Sequence, residues 1–146
     1  MILVDANLLL YAYYPKAEQH AASREWLEAA LAGPRLVRFA WLTLWAFLRI
    51  STNPRVFDRP LSNAEAVAAV GSWLEQPVAG ILEPGERHWE LLRGLLREGQ
   101  ASGPLVMDAA LAALAIEHGA TLCSVDRDFA RFPDLKWMNP LAAGER

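Results

Sequence analysis

The chain has one cysteine, Cys123, among 146 residues, so no disulfide can form within it. A single thiol in a short apolar run suits a reducing cytoplasm. Histidine is scarce too, and His20, His88 and His118 lie far apart in the sequence, which argues against a zinc site. No apolar run is long. Leu36 to Leu48 is interrupted by Arg38 and is too short to cross a bilayer core of roughly 30 Å. The apolar run Ile2–Val4 ahead of Asp5 is too short for a signal peptide. A soluble, cytoplasmic protein with no membrane partner is expected. Net positive charge is also missing: the formal charge is −3. That argues against holding nucleic acid by bulk electrostatics, though not against a local basic patch.

Hydrophobic residues make up 53% of the chain, enough for a buried core and too many for disorder. The length fits one domain, residues 1–146. Ile2–Val4 reads as a strand buried on both faces, followed by a turn of helix over Asn7–Tyr13. Ala17–Ala32 has helical spacing and ends at Gly33-Pro34. Leu36–Ala40 reads as a second strand and Trp41–Ile50 as a helix. Ser62 and Glu65 form a capping signature for a helix that runs to Leu74. Ala79–Leu82 is a weak strand, Gly85–Glu98 a helix, and Gly99–Pro104 a linker. Val106–His118 is the clearest helix. Thr121–Val125 then reads as a strand, Asp126–Phe129 as a helical turn, and Trp137-Met138 as an edge strand. This alternation predicts an α/β fold: a three-layer α/β/α sandwich around a central, mainly parallel sheet.

The acids fall at telling places in that scheme. Asp5 ends the first strand, Asp126 and Asp128 follow the strand Thr121–Val125, and Asp108 lies in the first turn of the long helix. In open α/β sheets, sites form outside the C-terminal ends of the strands. Carboxylates converging there stay ionised only around a cation, and oxygen-only ligation favours Mg2+, with Mn2+ able to substitute. Each acid also has a plainer role open to it. Asp5 can start a loop, Asp108 can favour a helix N-terminus, and Asp126 or Asp128 can cap the last helical turn. Three separate placements of this kind, among only six Asp, favour a shared site.

These motifs resemble those of PIN domains, and in one segment a branch of VapC toxins. Ile2-Leu3-Val4-Asp5-Ala6-Asn7 is similar to the opening motif, the run from Asp108 to Ala115 to the helix of the third acid, and Ser124-Val125-Asp126-Arg127-Asp128-Phe129 to the closing motif. Phe47 to Phe57 resembles a VapC segment. The resemblance implies a PIN-like sandwich and a Mg2+-dependent endoribonuclease, the toxic half of a toxin–antitoxin pair. It also implies a VapB-like antitoxin partner and a homodimer. Asp5, Asp108 and Asp126 would be catalytic and would hold the metal, with Asp128 a further ligand candidate. Asn7 and Ser124 would orient those ligands.

One departure stands out. Where many PIN domains carry Glu in the helix after the second strand, this chain has Ala46. Either Asp128 or Asn7 completes the metal shell, or the enzyme works with fewer ligands, or the chain is a catalytically weakened PIN-like module that binds RNA or a protein partner without cleaving. For RNA, Arg49, Arg55 and Arg127 are candidate contacts, and Arg35, Arg38 and Arg59 extend the basic stretch. Trp41 and Trp45, one helical turn apart, are candidates for the dimer interface. A phosphoryl-receiver domain fits poorly, because Asp5 has no acidic neighbour and the only lysines are Lys16 and Lys136.

Overall fold

The computed structural model describes residues 1–142; the last four residues of the expected domain lie outside the described residues. Five strands form one sheet: β1 (Ile2–Val4), β2 (Val37–Ala40), β3 (Ala79–Leu82), β4 (Thr121–Cys123) and β5 (Trp137–Met138). Their spatial order is β3-β2-β1-β4-β5, and every pairing is parallel. The chain therefore winds outward from β1 on one side, then returns to pair β4 with β1 on the other. The reversal falls between β1 and β4, and the C-terminal ends of strands at such a point are where α/β sheets place their ligands.

Alternation along the strands sorts side chains into two cores. Ile2 and Val4 face α1 (Ala6–Ala12), α2 (His20–Ala32), α3 (Trp41–Ser51) and α4 (Asn63–Leu74). Leu3 and Leu122 face α5 (His88–Glu98) and α6 (Leu105–His118). This is the expected three-layer sandwich. Trp73 sits in the first core, stacked on Phe39 at 5.8 Å and edge-on to Phe47 at 4.8 Å. Among the described residues, no helix is long and apolar enough to cross a membrane.

Element boundaries differ from the sequence expectations for local reasons. α2 starts at His20 rather than Ala17, because Ala17 and His20 first close turns onto the carbonyls of Tyr14 and Ala17. α5 starts at His88 rather than Gly85. The amides of Gly85 and Arg87 are taken by the Glu117 carboxylate, at 2.8 and 3.1 Å, which ties this loop to the end of α6. β4 stops at Cys123, short of the expected Val125, whose amide turns to the Asn7 Oδ1 at 3.5 Å.

α6 is Ala-rich, and its buried face is set by Ala109, Ala112, Ala113 and Ala115. It ends at Gly119, whose φ of 67° is left-handed. The Ala120 amide then reaches back to the Ala115 carbonyl at 2.9 Å, closing the helix. A Gly119→Ala variant is expected to lose about 1 kcal/mol, because a Cβ disfavours this conformation. A thermal melt should show it as a drop of roughly 3 °C.

Candidate active site

β1 delivers Asp5 to the C-terminal edge of the sheet, beside β4. The residue is partly buried and caps α1, with Oδ1 accepting from the Ala6 amide at 2.7 Å. Its other oxygen, Oδ2, accepts from the Ser124 hydroxyl at 2.7 Å. Ser124 is fully buried just beyond β4. Its Oγ accepts in turn from Asn7 Nδ2 and from the Asp126 amide, both at 3.0 Å. Asn7 Nδ2 also lies 3.4 Å from Asp5 Oδ2. One hydroxyl thus stitches together the ends of β1 and β4, and both of its lone pairs and its proton are used.

Asp126 caps a short 3-10 turn, Arg127–Arg131, and its Oδ1 accepts from the Asp128 amide at 2.9 Å. That turn brings Asp126 and Asp128 up to the first turn of α6, where Asp108 lies. One oxygen from each of Asp108, Asp126 and Asp128 falls within 4.8 Å of the others. Asp5 stands outside that tight trio but is close enough to bear on it electrostatically. Asp108 is held up at about 6, first because burial penalises its charge, then because Asp126, Asp5 and Asp128 repel it; Arg131 partly offsets this. Burial raises the Asp5 pKa above the usual carboxylate range, and Asp126 adds to the rise, against the hydrogen bonds from Ser124 and Ala6. Asp5 and Asp108, whose charged forms are disfavoured here, lie with Asp126 and Asp128 in a site suited to a cation.

The donor set is oxygen only, and Cys123 is buried in the core with its thiol pushed up to about 12 by desolvation. Both facts fit a hard divalent ion rather than zinc. α3 carries no Asp or Glu, so Ala46 leaves that helix without a carboxylate to offer. Asp128, ranked behind the other three on sequence, instead sits within the trio. Asn7 spends its side chain on Ser124, Asp5 and the Val125 amide, which makes it a brace for the site.

The arginines divide. Arg127 is exposed at the start of the turn, between two of the acids. Arg49 is exposed in the last turn of α3, about 12 Å along the axis from that helix's start at the end of β2. Arg55 is exposed in the loop beyond it. Arg38 is placed differently from the sequence reading of a phosphate contact. Its guanidinium lies over Gly80 and donates to the carbonyls of Val37 and Val78, at 3.2 and 2.8 Å, at the opposite ends of the strands from the acids. Sequence reasoning gave Arg131 no role, yet it is the only residue whose ion pair, among the described residues, involves a site acid: Asp128, at 3.9 Å. The signal available was its position three residues after Asp128 on a helical turn.

Comparison with known proteins identifies the family. The PIN domain family matches residues 2–135. The chain is 44% identical over 142 residues to Ribonuclease VapC37 of Mycobacterium tuberculosis, covering 97% of this chain and 99% of that one. It is 42% identical over 141 residues to Ribonuclease VapC33 of the same species, with 97% and 99% covered. Among solved structures, VapBC-1 from nontypeable Haemophilus influenzae matches with a TM-score of 0.66 at 21% identity, over 97% of this chain and 100% of that one. VapC20 of M. tuberculosis, described as a sarcin–ricin-loop-cleaving toxin, matches with a TM-score of 0.65 at 18% identity, over 93% and 99%. At those identities the structures speak for the fold, while the sequence matches decide the kinship: the chain belongs to the PIN-domain family, in its VapC branch.

Proposed function

We propose that this protein is a divalent-metal-dependent endoribonuclease, the toxin of a VapBC-type pair that a small VapB-like antitoxin neutralises. One observation carries the reading: α6 and the turn after β4 bring Asp108, Asp126 and Asp128 together, with Asp5 at the end of β1 near enough to repel them. The ribonuclease names of the relatives and the VapBC complexes among the structural neighbours support the substrate and the partner.

Asp108, Asp126 and Asp128 would hold Mg2+ or Mn2+, with Asp5 completing the shell. When bound, such an ion lowers the pKa of water and steadies charge on a phosphodiester during in-line attack. The chain's own residues supply orientation. Ser124 holds the Asp5 carboxylate in one rotamer, and the Asp128 amide does the same for Asp126. Without a cation the acidic rim repels the phosphate of RNA, so binding and cleavage both depend on the ion. Arg127 is the candidate phosphate contact on that rim. Arg49 and Arg55 would serve only RNA extending along α3. Trp41 and Trp45, 43% and 63% exposed on that helix, are the face for a homodimer.

The test is cleavage of structured RNAs by antitoxin-free protein with Mg2+, with Mn2+ and with EDTA. Cleavage is expected with either ion and not with the chelator. Activity that persists in EDTA would sink the metal-site reading. Absence of both cleavage and Mn2+ binding by calorimetry would favour the non-cleaving module that Ala46 raised.

A further inference from the structure

We infer that Arg131 is a positioning residue, a bracket that sets the spacing between Asp108 and the Asp126–Asp128 pair. The inference rests on the nuclease reading above. Arg131 closes the turn that carries both acids, and its side chain is 31% exposed. Its guanidinium works in two directions. Nη1 donates to the Gly99 carbonyl at 2.8 Å, while Nε donates to the Asp128 carbonyl at 3.2 Å and Nη2 lies 3.9 Å from the Asp128 carboxylate. Gly99 caps α5 and begins the loop that leads into α6, and so to Asp108. The bracket therefore spans the two pieces of chain whose separation decides whether the three carboxylates meet.

The surroundings fit this role. Phe132, next to Arg131, is buried and lies against Gly99 so closely that a Cβ there would fall 2.6 Å from its ring. The loop beyond Gly99 is tightly turned, with positive φ at both Gln100 and Gly103. Repulsion among the acids pushes the turn away from α6, and the bracket opposes that push. A guanidinium can hold a carbonyl and a carboxylate region at once through its fixed fork, whereas the ammonium of lysine is a point charge on a flexible stem.

Positioning and simple charge balance predict opposite signs. If Arg131 only offset negative charge, its removal would tighten binding of a divalent cation. If it sets the spacing, removal loosens that binding. Calorimetric titration with Mn2+, alongside RNA cleavage kinetics, should be run on the wild type, Arg131→Gln, Arg131→Lys and Gly99→Ala. The temperature should lie below the melting transition of every variant. Weaker Mn2+ binding and, at saturating Mn2+, a lower kcat, each by about 10–100-fold, are expected for Arg131→Gln, with KM for RNA little changed at that saturating concentration. Arg131→Lys should recover only part of the loss. Gly99→Ala, which alters no charge but drives the loop off Phe132, should weaken binding in the same direction. Unchanged or tighter Mn2+ binding by Arg131→Gln, or full recovery by lysine, overturns the inference and leaves the nuclease reading standing. A wild type that neither binds Mn2+ nor cleaves overturns both.

Discussion

An Asp5→Asn variant is expected to fold normally and to lose RNA cleavage by about 10³-fold or more, since both a ligand charge and the orientation of its neighbours go with it. Asparagine is nearly isosteric, so its Oδ1 still caps α1 through the Ala6 amide. The other position changes from acceptor to donor. It then faces the Ser124 hydroxyl, which already accepts from Asn7 and from the Asp126 amide and has only a proton left to give. The serine loses its acceptor, and the join between β1 and β4 loosens where the acids converge. Stability should move little in the metal-free protein, because the carboxylate being replaced was itself penalised by desolvation. Cleavage assays with a melt on each sample separate the effects. Cleavage near the wild-type rate by a folded Asp5→Asn protein would remove Asp5 from the site.

Acidification from pH 7 to pH 5 should weaken Mg2+ or Mn2+ binding by about tenfold through Asp108 alone, because the ion must displace a proton once the pH falls below that group's pKa. The value of about 6 sets the window. The same shift has a stability consequence in metal-free protein. The folded-state pKa is raised above the unfolded value of 3.8, so the folded state binds the extra proton between roughly pH 4 and 6. Stability from this group is therefore greatest at low pH and falls as the pH rises through that window. Asp108 is only half-buried, so solvent screening cuts the effect to about 1 kcal/mol. An Asp108→Asn variant should accordingly melt a few degrees above the wild type at pH 7 without metal, with the gap closing near pH 4. Saturating Mn2+ should reverse the order, stabilising only the wild type. A wild type whose Mn2+ affinity does not change between pH 7 and pH 5 would contradict the assignment.

The layers of the fold were legible because they depend on short-range pattern. Ile2–Val4 shows a fully buried strand, the alanines of α6 a buried helix, and Ser62 with Glu65 a capping box that the structure contains. Strand order was not legible, since nothing local says that β4 returns to the side of β1 opposite β2. Candidate acids could be named from their places at strand and helix ends, yet their ranking could not. Asp128 comes level with Asp126 only because the backbone after Val125 closes into a 3-10 turn. A linear reading put Arg38 in the basic stretch offered to RNA and gave Arg131 no role. One became a filler over Gly80 and the other a tie to Gly99, and both outcomes depend on partners about 30 to 40 residues away.

Asp126 holds two posts at once: it faces Asp108 and Asp128, and it starts the turn by accepting the Asp128 amide. Asp108 holds only one, since no hydrogen bond among the described residues engages its carboxylate. The two positions should therefore age differently in descendants freed from selection for cleavage. A decayed copy would keep Asp126, because folding of the turn still asks for it, and would let Asp108 drift first. An intact closing motif is then a poor sign of a living enzyme, and the residue at position 108 is the one to inspect.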